Sequence, residues 1–144
     1  LTDYEKELKA GVGAALAAET YLAWSADPTH VFPPGTVALY DGIVPSNTDT
    51  AIAMNTYTVQ MTPAAIIGLQ FHAVSTDPDE LTRALQAIND ALDGRWGGTL
   101  GLVRLVSAAH QSSGLLGQDA NGRRGRTENY YLTINRTIPN RTGA

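Results

Sequence analysis

Apolar residues recur at helical spacing near the start of the chain, at Tyr4, Leu8, Val12, Leu16 and Trp24. That stripe predicts a first helix over residues 2–24. Thr2-Asp3-Tyr4-Glu5 has capping-box spacing, with Thr2 as the N-cap and Glu5 reaching back. From Ala10 to Ala26 the only charged residue is Glu19, and alanines fill the other faces. A helix apolar nearly all round is usually buried on more than one side. Either a neighbouring subunit covers it, through residues such as Leu16 and Trp24, or it carries a bland alanine surface.

Residues 27–36, with three prolines and a glycine, predict a loop. Strands follow over Thr36–Val44, Thr50–Met61 and Ala65–Val74. The third alternates, with Ile67, Leu69, Phe71 and Ala73 on one face and Ile66, Gly68, Gln70, His72 and Val74 on the other. The second helix is the best specified element. Asp77 is its N-cap, Pro78 its first residue, and Leu81, Leu85, Ile88 and Leu92 its stripe, with Gly94 as a left-handed stop. Arg95–Gly101 predicts a flexible turn, and Leu102–His110 and Thr127–Ile138 two more strands. Between these, Asn121-Gly122 signals a type I′ turn, so residues 111–126 predict a long extended hairpin arm. The expected fold is α+β: a mostly antiparallel sheet of about four to five strands with two helices on one face, plus the arm. Residues 1–138 are expected to form one domain, and 139–144 a flexible tail.

Composition adds little to this pattern but removes several classes. At 144 residues with 43% hydrophobic content, the chain is long enough for one core and too apolar for disorder throughout. Having no cysteine, it excludes disulfide scaffolds, thiol catalysis and Cys-based zinc sites. No apolar run reaches the roughly 18 residues of a membrane-spanning helix, so no membrane association is expected. The net charge of −4 hides a split: residues 1–94 carry −9 and residues 95–144 carry +5. Such polarity can orient a protein against a partner or another copy of itself.

Catalytic templates fail in turn, so no catalytic residue and no enzymatic activity are expected. Gly11-Val12-Gly13-Ala14-Ala15-Leu16 touches the dinucleotide fingerprint but lacks its third glycine and follows no strand. Its glycines predict close helix packing instead, and no cofactor is expected. His30, His72 and His110 have no second histidine at ligand spacing. Asp77, Asp79 and Glu80 suit a helix start better than a cation, so no metal is expected. Arg123, Arg124 and Arg126 cluster beside the Asn-Gly turn without stacking aromatics nearby, a weak nucleic-acid footprint in an acidic chain. Leu115 and Leu116, flanked by glycines in the arm, are costly on a solvated tip unless their own sheet or a partner covers them.

Gly114-Leu115-Leu116-Gly117-Gln118-Asp119-Ala120-Asn121-Gly122-Arg123, followed by Asn129-Tyr130-Tyr131-Leu132, is similar to a pattern in small phage head–tail junction proteins. It resembles the tail terminator and minor capsid proteins of long, non-contractile-tailed bacteriophages. Gly68-Leu69-Gln70-Phe71 and the helix from Asp77-Pro78 to Gly94 resemble the preceding strand and helix. The strand carries His72-Ala73 where the family commonly has Arg-Gly. The resemblance implies a virion protein forming a ring, typically a hexamer, on the end of the tail tube. Such a ring stops tube polymerisation and joins tail to neck. The implied partners are copies of itself, the tail tube protein and a neck or head-completion protein, with DNA passing through the lumen without sequence readout. The implied location is the virion head–tail junction, with assembly in the host cytoplasm. Interface candidates are Leu115, Leu116, Trp96, Arg123, Arg124, Arg126, Leu16 and Trp24. Two alternatives stand beside this: a head-completion or other neck ring protein, and a small ligand-binding or enzymatic α+β domain with a pocket near His72 or His110.

Overall fold

The computed structural model describes residues 2–18, 21–25, 32, 35–101 and 103–135, with side chains from Glu5 onward. It contains α1 (Thr2–Ala17), β1 (Leu22–Trp24), β2 (Val37–Asp41), β3 (Thr50–Gln60), β4 (Ala65–Ser75), α2 (Pro78–Leu92), β5 (Thr99–Leu100), β6 (Val103–Gln118) and β7 (Arg124–Asn135). One seven-stranded sheet runs in the order β1-β2-β3-β4-β7-β6-β5.

This corrects the expected four to five mostly antiparallel strands. The sheet is mixed, because β1 pairs parallel with β2 and β2 parallel with β3. The extra strands come from two places. The expected first helix stops at Ala17, and Leu22–Trp24 becomes β1. The expected flexible turn contributes β5, and Trp96 bridges to Ser107. The capping box at Thr2 and the residues of the Pro-rich loop around His30 lie outside the described side chains. So does the tail beyond Asn135.

Core formation follows the sequence where periodicity was strong. Leu8, Val12 and Leu16 of α1 and Leu81, Leu85, Ile88 and Leu92 of α2 meet Ile67, Leu69, Phe71 and Ala73 of β4 in one buried cluster. Asp77 caps α2 by accepting the amides of Asp79 at 3.0 Å and Glu80 at 3.5 Å. The two helix glycines are where α1 approaches other elements most closely. A Cβ on Gly11 would strike the backbone of Leu100, and one on Gly13 the indole of Trp24. Leu100 and Trp24 lie on β5 and β1, the first and last strands of the sheet order. α1 therefore bridges both ends of the sheet, which explains an apolar surface on more than one side without a partner.

The helix-free face of the sheet is polar in its middle. Asn55, Gln70, Asn129 and Ser112 stand in register across β3, β4, β7 and β6. Gln70 donates to Asn129 Oδ1 at 3.2 Å, and Asn129 donates to Ser112 Oγ at 3.3 Å. Gly68 leaves room for the Tyr57 ring lying over it. Residues 42–49 link two adjacent parallel strands without a helix. Asn55 holds the start of that link through Gly42 O at 2.9 Å.

The extended hairpin expected over residues 111–126 is present, but its β7 side is held within the sheet rather than projecting as an arm. β7 pairs with β4 along its whole length, as far as Arg124 opposite Ser75, and with β6 on its other side. Among the described residues of the hairpin, the side left without a ladder partner is the outer side of β6 beyond His110.

Candidate functional site

The turn between β6 and β7 is built by one carboxylate. Asp119 Oδ1 accepts the backbone N–H of Asn121 and of Arg123, each at 2.9 Å. The Gly122 amide donates to Asp119 O at 3.1 Å, and the Asp119 amide to Arg123 O at 2.9 Å. Gly122 has φ of 76°, and no other residue type in the described chain has positive φ. The expected type I′ turn needs positive φ at Asn121 as well. The observed turn instead places only glycine in the left-handed region and spends the aspartate on the freed amides.

Arg123 fixes this turn to the rest of the molecule. Its Nε donates to Asp119 Oδ2 at 2.9 Å, and its Nη1 donates to Pro45 O at 2.7 Å and Thr48 O at 3.1 Å. Asn121 adds a bond to Ser46 O at 3.2 Å. The arginine is buried as a result. The Arg123 amide, followed by its guanidinium and the Asn121 amide, holds the Asp119 carboxyl below the usual carboxylate range, against an opposing contribution from burial. Burial, with the Arg123 charge added, pushes His72 below the ordinary imidazole range, and Asp119 partly offsets this.

The neighbouring edge has a different character. Residues 93–100 cover the first half of β6: Arg95 O accepts the Ala108 amide at 2.7 Å and Asp93 Oδ1 accepts the His110 amide at 2.9 Å. Beyond His110, Gln111–Gln118 has no outer ladder partner among the described residues. This stretch is QSSGLLGQ, with no charge and no proline. Native edges are usually blunted by lysine, proline, bulges or short length. Here only irregularities at Gln111 and Gly117 interrupt the ladder. Leu115 is 86% exposed and Leu116 45% exposed. Leu116 lies over Gly125, where a Cβ would come within 3.0 Å of its own. Leu115 stands opposite Arg126. Arg126 Nη2 reaches Glu128 at 3.2 Å, whereas Arg124 is exposed and has no acidic partner among the described residues.

Between edge and core lies a cluster that, among the described residues, resembles catalytic machinery. His110 Nε2 sits 2.9 Å from Glu128 Oε2 and 3.3 Å from Ser113 Oγ. A Ser-His-acid relay needs the acid on one ring nitrogen and the serine on the other. Here both meet the same nitrogen, and Ser113 also donates directly to Glu128. The cluster therefore satisfies a buried carboxylate rather than activating a hydroxyl. Tyr130, beside it, donates to Asn89 Oδ1 at 2.9 Å, and its burial, reinforced by the charges of Glu128, Asp93 and Asp90, pushes its phenol far above the usual range. Among the described residues no three His, Asp or Glu side chains converge as metal ligands, and no helix is long and apolar enough to cross a membrane.

The sequence-derived interface candidates thus separate. Leu115, Leu116, Arg124 and Arg126 gather on the distal hairpin, and Trp96 is 81% exposed beside the covered half of β6. Arg123 is an internal clamp. Leu16 lies fully inside the core, and Trp24 is half-buried against Gly13. Sequence reasoning missed Ile43, which is 81% exposed after β2. It also missed the role of Asp119, whose signal was an aspartate two residues before Asn121.

No family model matches the chain, and no curated protein matches it. Among solved structures, the fold is similar to a chain from the virion of a native gene transfer agent particle. That likeness has a TM-score of 0.57 at 15% identity and covers 90% of this chain and 92% of the other.

Proposed function

We propose that this chain is a structural protein of a phage-like virion, acting as a tail terminator. In this reading, copies form a ring on the end of the tail tube, stop its polymerisation and present a surface to the neck. The observation that carries it is the fold shared with a virion component over nine-tenths of both chains. The exposed, uncharged β6 edge with Leu115 supplies what an assembly protein needs, a surface that is costly while unpartnered. A ring repeats one heterologous contact until it closes. The shared nitrogen in the His110 cluster argues against the enzymatic alternative. DNA would pass through the lumen without base readout.

The test is light scattering of the purified protein, alone and with the tail tube protein. A hexamer alone, or a ring assembled on tube ends, supports the terminator reading. Association with tailless heads and absence from free tails would replace it with a head-completion role. A monomer that ignores the tube and the heads overturns both.

A further inference from the structure

The helix-free face of the sheet carries a prepared aromatic surface. The Tyr57 ring lies over Gly68, where any Cβ would strike it, and its hydroxyl approaches Asn129 Oδ1 at 3.5 Å. One side of the ring thus rests on the β4 backbone while Tyr57 stays 39% exposed. Tyr131 stands at the same level on the far side of Gly68, two strands and about 10 Å from Tyr57. Trp96, 81% exposed, extends the line: it bridges to Ser107, which is opposite Thr133, two residues along from Tyr131. Beside these rings runs the row Asn55, Gln70, Asn129 and Ser112. The bonds within that row leave Gln70 Oε1 and Asn55 Oδ1 as acceptors without a partner among the described residues.

The same face is uncharged. Among the described residues, the positions that share it on β3, β4 and β7, and on β6 from Ser107 to Leu116, include no Asp, Glu, Lys or Arg. His72 lies on it, but burial and the Arg123 charge keep its imidazole neutral at pH 7. Arg123 is tied into the turn, and Arg104 stands at the far end, opposite Asn135.

We infer that this face binds a neutral polysaccharide. A sugar ring has an apolar C–H side that stacks on an aromatic ring. Its hydroxyls are donors and acceptors at once, as amide side chains are. A nucleic-acid strand would also stack, but it needs a cationic groove along its phosphates, which this face lacks. A protein contact centres on apolar side chains. Here the centre is the amide row, and the exposed Val59 and Leu116 lie near the ends of β3 and β6. The face is separate from the outer edge of β6, so the inference does not depend on the ring reading.

The test is retardation of the full chain in native gels containing soluble starch, mixed-linkage β-glucan, arabinoxylan or galactomannan, with circular dichroism checking each fold. The expected result is retardation by at least one of these, at least about tenfold weaker in Tyr57→Ala and in Trp96→Ala. Leu115→Ser, on the opposite face, should bind as the wild type does. If Tyr57→Ala misfolds, Gln70→Ala, which leaves the packing of Tyr57 on Gly68 alone, is expected to weaken binding severalfold. No retardation in any of the four gels, or equal retardation of all variants, overturns the inference. Retention of an oligodeoxythymidine instead would overturn it in favour of a nucleic-acid surface. Loss of ring assembly in Tyr57→Ala and Trp96→Ala, without polysaccharide binding by the wild type, would overturn it in favour of a protein contact.

Discussion

The tip of the β6–β7 hairpin and the edge a few residues before it belong to one continuous segment, yet they solve opposite problems. At the tip, the amides freed by the turn and the carboxylate that takes them are answered within the chain. Asp119 takes two amides, and Arg123 takes the Asp119 carboxylate and two carbonyls of residues 45–48. At the edge, Gln111–Gln118 leaves its outer ladder side and Leu115 unanswered. Arginines 123 and 124 are adjacent in sequence, but one is a buried strut and the other a free surface charge. The tip therefore anchors the single copy, whereas the edge is the surface that the proposed reading assigns to association.

That division can be broken most severely at Arg123. Arg123→Ala leaves the carbonyls of Pro45 and Thr48 without their donor and is expected to cost about 2–4 kcal/mol, measured by urea unfolding. A loss below that range would mean that water replaces the guanidinium and that the tip is less anchored than its geometry implies.

Acid should sharpen the contrast, because the tip titrates. Asp119 has a depressed pKa, so its stabilisation is present above 3.8 and is lost as pH falls below that value. His72 is also depressed. The unfolded chain takes up that proton first, and stability declines as pH falls below 6.5. Thermal melts between pH 7 and 3 should show both branches. Asp119→Asn should flatten the lower one and His72→Gln the upper one.

Changes at the edge should be milder for the isolated copy. The double variant Leu115→Ser/Leu116→Ser is expected to alter unfolding stability by less than about 1 kcal/mol while abolishing ring formation and tail joining, read by scattering and virion yield. Arg124→Ala should be the smallest, within about 0.5 kcal/mol for folding, with its effect confined to association at low salt. An unfolded Leu variant would show that the leucines serve the chain's own sheet.

Legibility in the sequence tracked the range of the interactions. α2 was readable from Asp77, Pro78 and a four-residue stripe, and β4 from strict alternation, because both patterns are local. β1 was not, since Leu22-Ala23-Trp24 carries no signal that separates it from a helix and becomes a strand only by parallel pairing with Val37–Leu39. The distal halves of β6 and β7 read as an arm because glycines and arginines hide the alternation that pairing with β4 imposes on β7. At the site, Leu115 and Leu116 stood out in the sequence by their glycine neighbours, but whether their own sheet covers them was left open. The burial of Arg123 was not, because its carbonyl partners lie 75 and 78 residues earlier.

The helix glycines carry a consequence for how the chain is made. α1 is synthesised before the strands described here, but the surface that receives Gly11 is Leu100 on β5, about 90 residues later. Such long-range closure slows folding, because chain entropy is lost before the contact is gained. Of the two described helices, α1 is thus made first but locked on this side only after β5 is in place. During that interval the β5 end of the sheet is without its α1 contact, and premature association between nascent chains competes with completion of the fold.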